Sequence, residues 1–450
     1  MIEHADYRLA LILPHSRQLL GIPGPGTVEL PVVRIPLWER PAEQLTRQIE
    51  ARWKIRTIVL DILVDPGSET ACAVIEVRTT SWDFAREGFC VAQPDRVGDS
   101  SLAESQRRSL SAILFGNEAE IKVFSRIGWI ERAQEWIQTS VPDRAIAFSG
   151  EIHQLNSSGS FALVRLGTRQ GPAYWLKATG EPNDREFIVT ITLSKFFPQH
   201  LPPLVAERDD WNAWVTEEAG KPLRDSFTLP RIEQTIADLA QLQLRSTEHI
   251  PDLLIAGCFD QRAPVLKAHV GELISYLERA MACQSSTDVP RLATGRLREL
   301  GRMLEDACSR MEDLRMPDAL VHNDINSGNI LFNGLRCFFV DWAEACIGNP
   351  FSTFQQLYEQ VARDKQTQEW CPRLKALYRQ RWRTVLTESQ IDSAFVLAPL
   401  LAIASYLYGR GTWLTSSSHG NLRFQSYARS LARHMDRAAR TPQLQELLCR

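Results

Sequence analysis

The hydrophobic pattern changes its period along this chain. Tyr7-Arg8-Leu9-Ala10-Leu11-Ile12-Leu13, Thr57 to Val64 and Cys72 to Val77 are short runs rich in apolar and β-branched residues, mostly bounded by Pro, Gly or Asp, and they read as strands. Between the first two, Ala42 to Trp53 repeats its apolar residues at helical spacing. Residues 1–115 are therefore expected to form an α+β module. Ile127 to Ile137 is amphipathic, with Trp129, Ala133 and Trp136 on one face, and predicts a helical connector within 116–148. Strand signals return near Ser149: Phe161 to Leu166, a turn at Gln170-Gly171-Pro172, then Tyr174 to Ala178, which is a hairpin pattern. From Pro230 onward the helix period dominates, broken only over 320–350. A small β-rich lobe over 149–222 and a large helical lobe over 223–450 are expected.

Composition narrows the field without naming a function. A chain of 450 residues is too long for one core. With 44% hydrophobic and 23% charged residues and a formal net charge of −3, it gives no reason to expect nucleic acid or an anionic membrane as partner. Nine cysteines are scattered with no CxxC pair and no His/Cys cluster at metal-ligand spacing, the usage of a reduced interior. The start, Met1-Ile2-Glu3-His4-Ala5-Asp6, lacks the charged-then-apolar pattern of a signal. The longest apolar run, Phe395 to Leu407, is interrupted by Pro399 and too short to span a bilayer. A cytoplasmic location is expected.

The densest chemical signal is Leu320-Val321-His322-Asn323-Asp324-Ile325-Asn326-Ser327-Gly328-Asn329-Ile330-Leu331-Phe332, followed by Cys337-Phe338-Phe339-Val340-Asp341-Trp342. Phosphoryl transfer needs magnesium on the β/γ-phosphates, a carboxylate to orient and deprotonate the attacking hydroxyl, and a cation on the α/β-phosphates. Asp324 is followed five positions later by Asn329, so one loop can offer a base and a metal ligand. Asp341, twelve positions further on and after a β-type run, can approach the metal from another side.

These residues resemble the aminoglycoside phosphotransferase and choline kinase superfamily, matching its H-x-D-x-x-x-x-N loop and I-D-W/F segment, with Val340 in place of Ile. The resemblance implies a bilobal protein-kinase-like fold, ATP and Mg²⁺ as cofactors, Asp324 as catalytic base, Asn329 and Asp341 as magnesium ligands, and His322 as a brace of the loop. Upstream, it implies Lys177 as the phosphate-contacting strand lysine and Glu186, at the start of the next helix, as its ion-pair partner. Asn156-Ser157-Ser158-Gly159-Ser160 falls where the phosphate-covering loop belongs, although it lacks G-x-G-x-x-G and reads equally well as a plain hairpin turn. Ser158 and Gly159 are its nucleotide-binding candidates. Trp211 to Leu223 resembles the strand and hinge into the large lobe, with adenine bound near Thr216, Glu217 and Glu218. One departure concerns the family's G-D-P-x-x-D: this chain reads Gly348-Asn349-Pro350-Phe351-Ser352-Thr353. Without the second Asp, rigidity of the loop must come from elsewhere.

The first module also carries a resemblance. Leu30-Pro31, Glu39, Arg47, Ile49 and Ile55 fall at the offsets of the Nudix box, but its glutamates are Gln48, Ala51 and Arg52, its paired glycines Val32 and Val33, and its last glycine Lys54. This implies a Nudix-like fold without hydrolase activity, since no cluster of carboxylates is left to hold Mg²⁺ on a pyrophosphate.

The acceptor is constrained only by charge. From Ala345 to Arg450 there are fourteen Lys/Arg against seven Asp/Glu, a balance that leans away from a polycationic aminoglycoside, which needs an acidic pocket. The expected function is O-phosphoryl transfer to a small hydroxylated metabolite or antibiotic. The competing readings are a pseudokinase-type scaffold that binds nucleotide or a partner, and a Nudix hydrolase. No A-P-E segment or long activation loop follows Asp341, which argues against a protein kinase.

Overall fold

The computed structural model describes residues 4–37, 40–65, 70–141, 145–334, 336–409 and 422–449; Glu39 lies outside them. The chain is a mixed α+β protein that divides into two compact units, Met1–Phe187 with Leu204–Glu218, and Ile188–Pro203 with Ala219–Arg450. The segments expected at 1–115 and 116–148 thus share a unit with most of the expected small lobe.

The first unit opens with strands β1 (His4–Leu13), β2 (Gln18–Pro23), β3 (Val28–Glu29) and β4 (Val32–Pro36), helix α1 (Pro41–Trp53), then β5 (Thr57–Leu63), β6 (Ala71–Val77), β7 (Cys90–Ala92) and helices α2 (Glu104–Phe115) and α3 (Trp129–Ser140). The strands form a seven-stranded sheet along the path β3-β2-β1-β6-β5, with β4 on β1 and β7 on β2. β1 runs parallel to β6, Tyr7 opposite Ala71. Side chains alternate across a sheet, and here both faces are covered. Leu9 and Leu11 pack with Ala42, Leu45 and Ile49 of α1; Ala10 and Ile12 enter a second core. That is why these strands read as continuous apolar runs.

A second sheet follows: β8 (Phe148–Ser158), β9 (Phe161–Thr168), β10 (Tyr174–Ala178), then, after helix α4 (Glu186–Phe196), β11 (Leu204–Arg208) and β12 (Ala213–Glu217). Its order is β11-β12-β10-β9-β8. Val164, Leu166, Leu176, Ala213 and Val215 share one core with Ile12, Ile58, Leu60, Val74 and with Trp129, Ile130 and Ala133 of α3. The two sheets are therefore parts of one folded body.

The second unit contains β13 (Lys221–Pro222), α5 (Leu229–Ser246), α6 (Ile250–Ile255), β14 (Phe259–Gln261), α7 (Ala263–Ala268), α8 (Val270–Ala282), α9 (Thr294–Asp313), β15 (Ala319–Val321), β16 (Ile330–Phe332), β17 (Cys337–Phe339), β18 (Cys346–Gly348), α10 (Phe351–Arg363), α11 (Cys371–Trp382), α12 (Glu388–Gly409), α13 (Leu422–Ala439) and α14 (Pro442–Cys449). Two three-stranded sheets, β13-β16-β17 and β14-β18-β15, carry the segment that interrupts the helix pattern.

The apolar run at Phe395 to Leu407 lies inside α12, whose 22 residues continue through Pro399. Among the described residues this helix is long and apolar enough to cross a membrane by length and composition. Its residues divide between two cores: Ile391, Ala394, Phe395 and Ala398 face one, and Leu397, Leu400, Leu401, Ala404 and Leu407 the other. A helix that is apolar all round and packed on both sides is the central helix of a large core, and that packing offsets the backbone hydrogen bond lost at Pro399. The cysteines are free thiols. Burial pushes Cys72 and Cys308 up to about 12, so both stay protonated and inert at neutral pH.

Candidate active site

Within the first unit, Lys177 sits at the centre of β10, opposite Leu163 of β9 and Trp214 of β12. Its ammonium donates to Glu186 Oε1 at 2.5 Å, and Glu186 is the first residue of α4. The carboxylate side chain is almost fully buried, at 1% exposure, so this pair is shielded from solvent on the acid's side. The expected strand lysine and helix acid are thus brought together. Ser158 and Gly159 lie at the tip of the β8–β9 hairpin, where Ser158 pairs with Phe161 across a two-residue turn. Glu217 ends β12 opposite Tyr174. The next amide, Glu218 N–H, donates to the Ala173 carbonyl at 2.9 Å, which commits that donor to the sheet. The Glu218 carboxylate accepts both Arg165 Nε–H and Nη2–H, at 2.6 and 3.1 Å, and these bonds hold its pKa below the usual carboxylate value.

Within the second unit, β15 delivers the chain into the loop His322–Asn329, and β16 and β17 close a hairpin beyond it. The loop is tied to itself. Asn329 Nδ2 donates to the Asp324 carbonyl at 3.0 Å, Asn326 Nδ2 to the same oxygen at 3.2 Å, and Gly328 N–H to Asn326 Oδ1 at 2.8 Å. Because the Asn329 amide nitrogen faces that carbonyl, its Oδ1, the oxygen a hard cation would take, is directed away from it. Val340 N–H donates to the Asn329 carbonyl at 3.0 Å, extending the β16–β17 ladder by one rung. Asp341, the next residue, is thereby set beside Asn329 at the open end of the hairpin.

Two residues here occupy the left-handed region, Asn323 at φ 60° and Asp341 at φ 70°. Asn and Asp tolerate it better than other side chains, and backbone held there is stored strain of a kind that collects at functional sites. His322 is buried; its Nε2 lies 2.9 Å from the Val340 carbonyl, and its ring packs on Trp342 at 4.4 Å between centroids. It joins the loop to the residues just beyond β17 that lead to Asp341.

At the position where the resembled superfamily carries its second Asp, this chain has a polar anchor of its own. Thr353 is fully buried and its Oγ1 accepts the His322 N–H at 3.2 Å. From the same helix, Gln360 Nε2 donates to the Ile325 carbonyl at 2.8 Å and Gln356 Nε2 to the Asn323 carbonyl at 3.3 Å. Sequence reasoning missed Gln356 and Gln360. Their four-residue spacing on α10 was a usable sign of a shared face, but nothing local said that the face meets the loop. Arg224 was missed as well: its N–H donates to the Ser327 carbonyl at 3.0 Å, and a Cβ on Gly328 would come within 3.1 Å of its Nη1. Among the described residues no three His, Cys, Asp or Glu side chains converge as a metal cage. A magnesium ion here would take two protein ligands and complete its shell from phosphate and water oxygens, a normal arrangement for this ion.

No curated protein matches the chain. Similar solved structures include a choline/ethanolamine kinase family protein from Mesorhizobium loti, 13% identical, covering 71% of this chain and 98% of that one, TM-score 0.45. A Plasmodium vivax ethanolamine kinase is 14% identical, covering 79% of this chain and 98% of that one, TM-score 0.47. A macrolide 2′-phosphotransferase from Brachybacterium faecium is 14% identical, covering 67% and 98%, TM-score 0.43. Residues 213–386, which contain the loop of Asp324 and Asn329, Asp341 and Thr353, match the phosphotransferase enzyme family.

Proposed function

We propose that the chain transfers the γ-phosphoryl group of Mg-ATP to a hydroxyl of a small molecule. The observation that carries this reading is the joint placement of Asp324, Asn329 and Asp341, two of them fixed by bonds to one carbonyl-bearing loop and the third by the adjacent ladder rung, inside the stretch that matches a phosphotransferase family. In this reading Asp324 orients the acceptor hydroxyl and takes its proton. Asn329 Oδ1 and the Asp341 carboxylate hold magnesium, which neutralises charge on the transferring group when bound. Lys177, positioned by Glu186, meets the α/β-phosphates; Ser158 and Gly159 cover them, and backbone near Glu217 receives the base. His322 remains a brace.

For the acceptor, the excess of basic residues after Ala345 favours a neutral or anionic hydroxylated compound. For residues 1–115 we propose a Nudix-like fold without hydrolysis, supported by α1 over the expected positions and by Lys54, which takes the left-handed C-cap conformation at the place of the last Nudix glycine. A cytoplasmic protein with no nucleic-acid or membrane partner fits the composition.

The test is Mg-ATP binding followed by thermal shift, in wild type and Asp341→Ala, with pyrophosphatase activity on nucleoside diphosphate derivatives assayed alongside. Magnesium-dependent stabilisation by ATP that Asp341→Ala abolishes, without pyrophosphatase turnover, is expected. Pyrophosphatase activity that survives Asp341→Ala would overturn the assignment of chemistry to the second half.

A further inference from the structure

The N-terminal module grips the β8–β9 hairpin by its backbone. β5 is the edge of the seven-stranded sheet, and an edge strand presents unpaired N–H and C=O groups. Gln154 of β8 closes that edge. Its Oε1 accepts the Val59 N–H at 2.8 Å and its Nε2 donates to the Val59 carbonyl at 2.8 Å, the two bonds a neighbouring strand would make. Ser157 Oγ donates to the same carbonyl, also at 2.8 Å. Residues three apart on a regular strand face opposite ways. The register shift between Gln154 and Asn156 inserts one extra residue and turns both side chains toward β5. Both are buried, at 2% and 4% exposure.

The tip of the hairpin is held as well. The Gly159 carbonyl accepts from Phe124 N–H at 3.3 Å. A Cβ on Gly159 would lie 2.7 Å from Lys122 Cδ and 2.7 Å from Ser125 Oγ, and Ser125 Oγ donates to Asp61 Oδ2 of β5 at 2.7 Å. Further along β8, Arg56 Nη1 donates to the Gly150 carbonyl at 3.0 Å. On the other side of the turn, a Cβ on Gly180 would meet Ser160 at 2.7 Å.

We propose that the N-terminal module is a working part of the nucleotide site: Gln154, Ser157 and Ser125 are positioning residues that hold the Asn156–Ser160 turn beside the Lys177 strand before nucleotide arrives. This rests on the reading of that turn as the phosphate cover. Phosphate-covering loops commonly close as flaps; a turn fixed in advance removes the ordering cost from binding. Loosening it weakens nucleotide binding more than it slows turnover.

The experiment compares wild type with Ser157→Ala, Gln154→Leu and the conservative Ser157→Thr. It reads hydrogen exchange of peptides spanning Asn156–Ser160, the Kd of a fluorescent ATP analogue with magnesium, and the melting temperature. Wild type is expected to protect the turn and bind the analogue. Ser157→Ala and Gln154→Leu are expected to exchange there about tenfold faster and to raise Kd by about tenfold, equivalent to about 1.4 kcal/mol, with Ser157→Thr restoring both. Ser157→Ala leaves the two Gln154 bonds in place, which keeps the fold available if Gln154→Leu does not fold. Wild type that binds the analogue, with variants that bind it equally well, overturns this inference alone. Wild type that binds no nucleotide overturns the inference and the proposed function together.

Discussion

Thr353 shows how a single residue settles a question the sequence could only pose. The absence of the aspartate that the resembled superfamily carries there implied that the loop of Asp324 is anchored by something else; the anchor is Thr353 at the same position, with a hydroxyl accepting the His322 N–H. Thr353→Val keeps the shape and removes the acceptor, so a buried N–H is left unpaired, a cost of about 1–3 kcal/mol. Chemical denaturation should show that loss, and equal stability to wild type would remove Thr353 from the account. Lys54 makes the opposite case. It bears φ 57° at the C-cap of α1, where glycine carries no Cβ penalty. Lys54→Gly is expected to stabilise the protein by about 0.5–1 kcal/mol, the left-handed penalty of about 1–2 kcal/mol less the extra chain entropy of glycine of about 0.4–1 kcal/mol, read as a rise in the urea midpoint.

His200 is buried against Phe339, and burial, then the Arg245 charge, lowers its pKa from 6.5 to about 4. The neutral ring is therefore the one the fold accepts. Its contribution is complete above pH 6.5 and lost as pH falls toward 4. Relative to wild type, His200→Phe should gain on the order of 2 kcal/mol between pH 7 and pH 4.5. A parallel pair of stability–pH curves would contradict this. The four-position motif around Asp324 was legible because its parts are close in sequence. Gln356, Gln360 and Arg224 were not, because their contacts to the loop span a sequence distance that pattern does not encode.

At the scale of elements, long apolar strands and amphipathic helices were readable. β10 and α1 fall where their periodicity put them, within a residue. The two- and three-residue strands β13, β14 and β18 were invisible as strands, because so short a run has no measurable period. Their pairing sets the site all the same. Gly220 lies at φ 116°, and a Cβ there would come 1.9 Å from the Phe332 carbonyl oxygen of β16. Gly220→Ala therefore meets both backbone strain and a backbone clash. It is expected to cost more than about 2 kcal/mol, seen as a lowered melting temperature or loss of soluble protein, whereas wild-type stability would show that β16 can move. The α12 run misled in another way. Pro399 signals a break, yet the helix continues because both its sides are packed.

For the whole molecule, the mixed α+β class came from pattern, but the grouping of the segments did not. Residues 1–115 read as a separate module, and the structure gives them a core in common with β9, β10 and β12. A core shared between distant segments leaves no period in either, so sequence shows two apolar faces without saying that they meet. The proposed division of chemistry is the central claim: residues 1–115, through the Val59 backbone and Asp61, hold the β8–β9 turn in position, and reaction is assigned to Asp324, Asn329 and Asp341. The most direct measurement is an acceptor screen with Mg-ATP over hydroxylated metabolites and antibiotics, following ADP release together with the mass gain of one phosphoryl group. Wild type should phosphorylate at least one acceptor class, and Asp324→Asn should lower kcat by about 10²–10⁴-fold with nucleotide affinity retained, the range for loss of a positioned general base. Phosphoryl transfer at the wild-type rate in Asp324→Asn would contradict the account.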